Sequence, residues 1–110
     1  PAIRNPTANI IAEVIGTMVL IIVSSSFSAD MPNGFAPYLV GILVWSIGLS
    51  LGGPTGYAIN PARDLGPRIA HAVLPISGKG SNDWGYAWIP VAGPIVGGIL
   101  AALFLNLFNI

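Results

Sequence analysis

The sequence predicts an all-α membrane protein with three membrane-spanning helices and one re-entrant half-helix, which enters the bilayer without crossing it. Three observations carry this prediction. The 110 residues are 54% hydrophobic and only 7% charged, with a mean hydropathy of +0.78, whereas a soluble domain carries about a quarter charged residues. The apolar residues fall into three long blocks, each near the roughly 20 residues needed to cross a bilayer core. Between the second and third blocks lies a glycine- and proline-rich stretch. It is too polar for a free span and too apolar for an ordinary loop.

The same composition excludes several functions. Four bases (Arg4, Arg63, Arg68, Lys79) balance four acids (Glu13, Asp30, Asp64, Asp83), for a formal net charge of zero. That leaves no basic face for nucleic acid. Without cysteine there is no disulfide frame, thiolate nucleophile or cysteine-ligated metal, and the single histidine, His71, forms no metal-binding cluster. No cofactor is expected. The high apolar content argues against disorder.

The first span covers about residues 9–29, with Glu13 its one charge. It is too long for a signal peptide and shows no cleavage pattern. Asp30-Met-Pro-Asn-Gly34 is a polar turn leading into the second span, about 35–52. The third span covers about 86–108, with Trp84, Tyr86 and Trp88 at its start. Aromatics there suit the headgroup level. Pro90 and Pro94 are tolerated in a span because neighbouring segments satisfy the freed carbonyls. Gly48 and Gly52, and Gly93 and Gly97, are each four apart. Such pairs permit close helix contact, or simply reflect the glycine content of membrane helices. The chain opens on Pro-Ala-Ile-Arg-Asn and lacks an initiator Met, so it reads as a piece of a longer polypeptide.

At the junction with the intervening stretch, about 53–74, stand Gly52, Gly53, Pro54 and Gly56, which favour extended backbone. Asn60-Pro61 then reads as a helix start, with Asn as N-cap and Pro at the first helical position. Asp64 falls in the first turn, where a carboxylate suits the helix dipole. A helix of roughly 13 residues is about 20 Å long, too short to cross. Extended backbone at membrane depth survives only where protein or a watery cavity satisfies it. Broken helices whose positive ends point inward belong to channels and transporters.

Gly56-Tyr-Ala-Ile-Asn-Pro-Ala-Arg-Asp-Leu-Gly-Pro-Arg68 resembles the second Asn-Pro-Ala loop of the aquaporin superfamily, the major intrinsic proteins. The resemblance covers essentially the whole chain, residues 1–110. They look like the C-terminal half of one aquaporin-like channel domain, the second inverted repeat of a right-handed bundle. It implies a multi-pass protein of the plasma membrane and a homotetramer. The N-terminal half, joined or separately supplied, would be needed to complete the pore.

The resemblance also implies roles. Asn60, Pro61 and Ala62 look like the pore motif, with the Asn60 amide donating to a passing oxygen. Arg63 resembles the arginine of the selectivity filter. Tyr57 and Gly48 match two further filter positions. The carbonyls of Gly56, Tyr57 and Ala58 would form a ladder of acceptors. Glu13 resembles the buried glutamate that accepts N–H groups of the re-entrant backbone, and Asp64 is expected to brace the loop. Glycerol-conducting members resemble this chain in Asp64, in Arg68 four residues on, in Pro90 followed by Val91, and in the small Gly48. Tyr57 and Leu65 depart from the commonest glycerol pattern, which has Phe at both positions.

The expectation is therefore a passive channel, not an enzyme. It would conduct glycerol, other small uncharged solutes and water, and exclude ions and protons. The alternatives are a water-selective aquaporin, an ion-coupled transporter half and a non-conducting structural module. Single residues also have plainer readings. Asn60 is a helix cap, Glu13 an interfacial acid, Arg63 an interface anchor. His71 is a packing or interface histidine, with a pH gate as the alternative. The family orientation places the Met31 turn and the C-terminus in the cytoplasm and the Lys79 loop outside. The visible Lys and Arg run against the positive-inside tendency.

Overall fold

The computed structural model describes residues 1–27 and 31–109. These residues form four helices: α1 (Pro6–Ser25), α2 (Phe35–Leu51), α3 (Pro61–Val73) and α4 (Ile89–Phe108). No strand occurs among the described residues. α1 and α4 are long and apolar enough to cross a membrane; α2 is equally apolar but has 17 residues.

The helix bounds follow from local chemistry. α1 starts at Pro6, earlier than the apolar run suggests. Asn5 is extended (φ −121°), its side chain accepts the Ala8 N–H at 3.2 Å, and Pro6 fills the first turn. This is the same Asn-Pro device that starts α3, where Asn60 (φ −159°) accepts the Ala62 N–H at 2.8 Å. α1 ends at Ser25. The Ser24, Ser25 and Ser26 hydroxyls donate back to the carbonyls of Ile21, Ile22 and Val23. The expected end of the first span at residues 28–29, and Asp30 of the expected turn, lie outside the described residues.

α4 begins at Ile89, three residues later than the apolar block. Successive turns from Asp83 precede it, with Tyr86, Ala87 and Ile89 N–H donating to the carbonyls of Asp83, Trp84 and Tyr86. Pro90 then occupies the first helical turn, where its missing N–H costs nothing. α3 carries Pro67 inside its 13 residues, which deprives the Arg63 carbonyl of its usual i+4 partner. Its C-terminal carbonyls are covered from outside. The Lys79 ammonium donates to the carbonyls of His71, Ala72 and Leu74 at 2.8–2.9 Å, where a cation also suits the negative helix end.

α1 packs along α4, α2 leans on α1, and α3 touches α4. Glycines set the closest of these contacts. A Cβ on Gly93 would lie 2.6 Å from Glu13 Cβ, and one on Gly97 would lie 2.6 Å from the Val14 carbonyl oxygen. So α4 rides on the stretch of α1 that carries Glu13. α2 and α3 make no direct helix–helix contact among the described residues. They meet through the segment between them, which lies against α1. The extended backbone expected there is instead a turn over Gly53–Thr55, closed by the Gly56 N–H donating to the Gly52 carbonyl at 2.8 Å, and then left-handed backbone at Gly56, Tyr57 and Ile59. Large apolar side chains such as Ile42, Trp45, Leu49, Ile99 and Leu103 face outward, as suits helices in a bilayer.

Candidate functional site

The segment from Gly56 to Asn60 carries unusual backbone. Gly56 has φ +78°, Tyr57 +44° and Ile59 +44°. Gly56 adopts that conformation freely, but a β-branched residue there is an outlier. Such strain costs about 1–3 kcal/mol per residue and persists only where the surroundings over-determine it.

α1 provides that constraint from one face. Glu13 is 1% exposed and lies two turns inside α1. Its Oε1 accepts the Ala58 N–H at 3.0 Å and its Oε2 accepts the Ile59 N–H at 2.6 Å. The buried Thr17 hydroxyl donates to the Ile59 carbonyl at 3.3 Å. Gly16 lies between them in sequence, and a Cβ there would come within 2.9 Å of Ile59 Cγ2. The Ile59 peptide is thus gripped at its N–H, its carbonyl and its side chain. Residues Gly16 and Thr17 escaped the sequence reading, although their spacing from Glu13, three and four residues on, places all three on one helix face.

Asn60 and Arg63 are exposed, and Pro61 and Ala62 form the first turn of α3 between them. Because Asn60 Oδ1 is committed to the Ala62 N–H, the amide NH₂ remains as a donor. The Arg63 guanidinium carbon sits 5.0 Å from the Tyr57 ring centroid, within cation–π range. The Tyr57 ring also lies against α2. A Cβ on Gly48 would meet Tyr57 Cζ at 2.7 Å, and one on Gly52 would meet Cδ1 at 2.8 Å. Gly48, Tyr57 and Arg63 are therefore brought together, in that order. The space released by Gly48 is occupied by the tyrosine ring, which the sequence reading did not foresee. The carbonyls of Gly56, Tyr57 and Ala58 accept no hydrogen bond among the described residues.

Asp64 is engaged further along α3. Its two oxygens accept Arg68 Nε and Nη2, both at 2.7 Å. Arg68 Nη1 donates to the carbonyls of Asn82 and Asp83, so Asp64 bears on the loop before α4 through Arg68. His71 Nδ1 lies 2.6 Å from Asn82 Oδ1. Asp64, Arg68, His71 and Asn82, with Arg63, line an open cleft of about 360 Å³. Asp83 in turn pairs with Arg4 at 2.7 and 3.1 Å. That contact, 79 residues apart in sequence, carries no local signal. Among the described residues no cluster of three His, Asp or Glu side chains is placed to hold a metal.

Comparisons with known proteins bear on this geometry. Residues 2–105 match the family model described as "Major intrinsic protein". The chain is 61% identical over 107 residues to the "Probable glycerol uptake facilitator protein" of Thermotoga maritima, covering 96% of this chain and 46% of that relative. It is 57% identical over 107 residues to the "Glycerol uptake facilitator protein" of Bacillus subtilis, covering 96% and 39%. It is 48% identical over 109 residues to the "D/L-lactic acid transporter" of Lactiplantibacillus plantarum, covering 98% and 46%. The chain spans less than half the length of each of these relatives. No solved structure matches it.

Proposed function

Because this chain belongs to the major intrinsic protein family, we propose that it forms the C-terminal half of a passive channel for glycerol and other small uncharged solutes. The chain is part of an integral membrane protein. The observation that carries the reading is the placement of two donors, the Asn60 amide and the Arg63 guanidinium, one turn apart at the start of a short helix. Beside them stand the Tyr57 ring and three carbonyls that accept no hydrogen bond among the described residues.

A polyol loses hydration water at a constriction and needs replacement hydrogen bonds. Arg63 offers planar donors suited to adjacent oxygens, Asn60 offers a further donor, and the carbonyls of Gly56, Tyr57 and Ala58 accept. The Tyr57 ring offers a carbon surface to the CH side of the solute. In this reading residues 53–73 form the re-entrant element. Arg63 and the positive end of α3 repel cations and protons, and no covalent step occurs. A complementary N-terminal half closes the pore, because carbonyls left against lipid would cost several kcal/mol each. Tetrameric assembly in the cell membrane completes the proposal.

An ion-coupled transporter is disfavoured by Glu13. It is the only carboxylate in the three apolar blocks, and both of its oxygens are engaged by backbone N–H groups. Stopped-flow light scattering from vesicles holding the full-length channel, with water, glycerol and urea compared, tests the solute range. Glycerol permeability well above protein-free vesicles supports the reading. Water permeability alone favours the water-selective alternative, and uptake of lactic acid without glycerol would move the solute toward that named for the Lactiplantibacillus relative.

A further inference from the structure

Residues 2–5, ahead of α1, are tied to three places at one end of the molecule. Asn9 Nδ2 donates to the Ile3 carbonyl at 2.9 Å, binding the segment back onto α1. The Ala2 N–H donates to the Pro54 carbonyl at 3.3 Å, reaching the segment that follows α2. Arg4 makes two parallel bonds to the Asp83 carboxylate, reaching the loop before α4. Asp83 is a hub. It sits at φ +49°, its N–H donates to Ser81 Oγ at 3.0 Å, and its carbonyl accepts Arg68 Nη1 at 2.9 Å. Arg68 is fixed by Asp64, the residue after Arg63. Ser81 and Asn82 form one wall of the cleft that Arg63 lines.

We propose that Arg4 and Asp83 are a positioning pair that holds the adjoining Ser81–Asn82 wall over the cleft beside Arg63 and thereby sets the size of polyol admitted to it. Neither residue touches solute. Arg4 acts through Asp83, and Asp83 through its own backbone and Arg68. An exposed ion pair adds little to global stability, so the consequence is geometric. With the carboxylate released, one anchor of the wall is lost while Arg68 still holds the two carbonyls, and the wall moves outward without unfolding. The consequence for solute size rests on the proposed channel function and on Arg63 lying in its path.

The test uses the full-length channel with Arg4→Ala, Arg4→Lys, Asp83→Asn and the double variant Arg4→Ala/Asp83→Asn. Two readouts are taken. The first is spin-label mobility at Gly80→Cys, where an added side chain meets open space and this chain supplies no other cysteine. The second is the permeability of a five-carbon polyol relative to glycerol, with water as control. Arg4→Ala and Asp83→Asn should each raise label mobility and raise the polyol-to-glycerol ratio at least threefold, with water unchanged. The double variant should equal either single one, and Arg4→Lys should stay near wild type. Unchanged mobility, an unchanged ratio or additive effects in the double variant would each overturn the proposal. Absent glycerol flux in the wild type would defeat the channel reading instead, and the mobility data would still report on the pair.

Discussion

Glu13 Oε2 accepts the Ile59 N–H at 2.6 Å across 46 residues of sequence, and so one helix side chain holds the strained residue next to Asn60. The second oxygen takes the Ala58 N–H, which leaves neither buried donor of this turn without a partner. Glu13→Leu should leave both donors unpaired, at about 1–3 kcal/mol each. The expected outcome is loss of folded full-length channel in detergent, read by thermal unfolding and size-exclusion yield. Glu13→Gln keeps one acceptor and should be milder.

Thr17→Val removes the donor to the Ile59 carbonyl while keeping the shape of the side chain. The expected loss is about 1 kcal/mol, a fall of a few degrees in thermal midpoint, and Thr17→Ser should recover most of it. Equal midpoints for Thr17→Val and wild type would mean the 3.3 Å contact carries no stability.

Gly93→Val should separate α4 from α1, because even its Cβ would lie 2.6 Å from Glu13 Cβ. Overpacking typically costs about 1–3 kcal/mol. Thermal unfolding of the full-length channel measures it. Gly80→Ala, at a site with open space around it, should show no such loss.

The place of a helix start was legible where the signal was local. Asn60-Pro61 put the beginning of a helix at Pro61, and α3 starts there. The identical Asn5-Pro6 signal starts α1 three residues ahead of the apolar run, whose hydropathy carries no information about the cap. Glu13 was legible as a carboxylate in an apolar span, which burial makes costly unless it is paired. Thr17 was not, because a threonine in an apolar helix carries no such penalty and suggests no partner. The packing of Tyr57 on Gly48 and Gly52 was hidden for a different reason. A glycine reveals only that space is open, and which side chain fills it depends on tertiary approach.

Gly48→His therefore has two expected effects. The new side chain displaces the Tyr57 ring, which already lies where a Cβ would point, and it adds a polar group beside Arg63. In vesicles, glycerol permeability should fall at least tenfold, equivalent to about 1.4 kcal/mol of barrier, with a much smaller fall for water. Gly48→His combined with Tyr57→Ala, which makes room for the new side chain, should not restore glycerol preference. Parallel losses of both solutes in the single variant would overturn the proposed place of Gly48 in a filter.

The Arg4–Asp83 pair has a defined pH response. Hydrogen bonding to Arg4 holds the Asp83 carboxyl below its ordinary range, and the same bonds raise the Arg4 guanidinium further above neutrality. A depressed carboxylate contributes above its unfolded pKa, about 4, and the contribution fades as pH falls through the lower folded value. Label mobility at Gly80→Cys should stay flat from pH 8 to about pH 5 and rise only below about 4. A transition near neutral pH would contradict control by this pair.

The most direct test of the channel reading is glycerol efflux from vesicles carrying the full-length protein, measured with and without imposed proton and sodium gradients. The account predicts rapid efflux, well above protein-free vesicles and indifferent to either gradient. Efflux no faster than from protein-free vesicles, or movement of glycerol that requires a gradient, would contradict it.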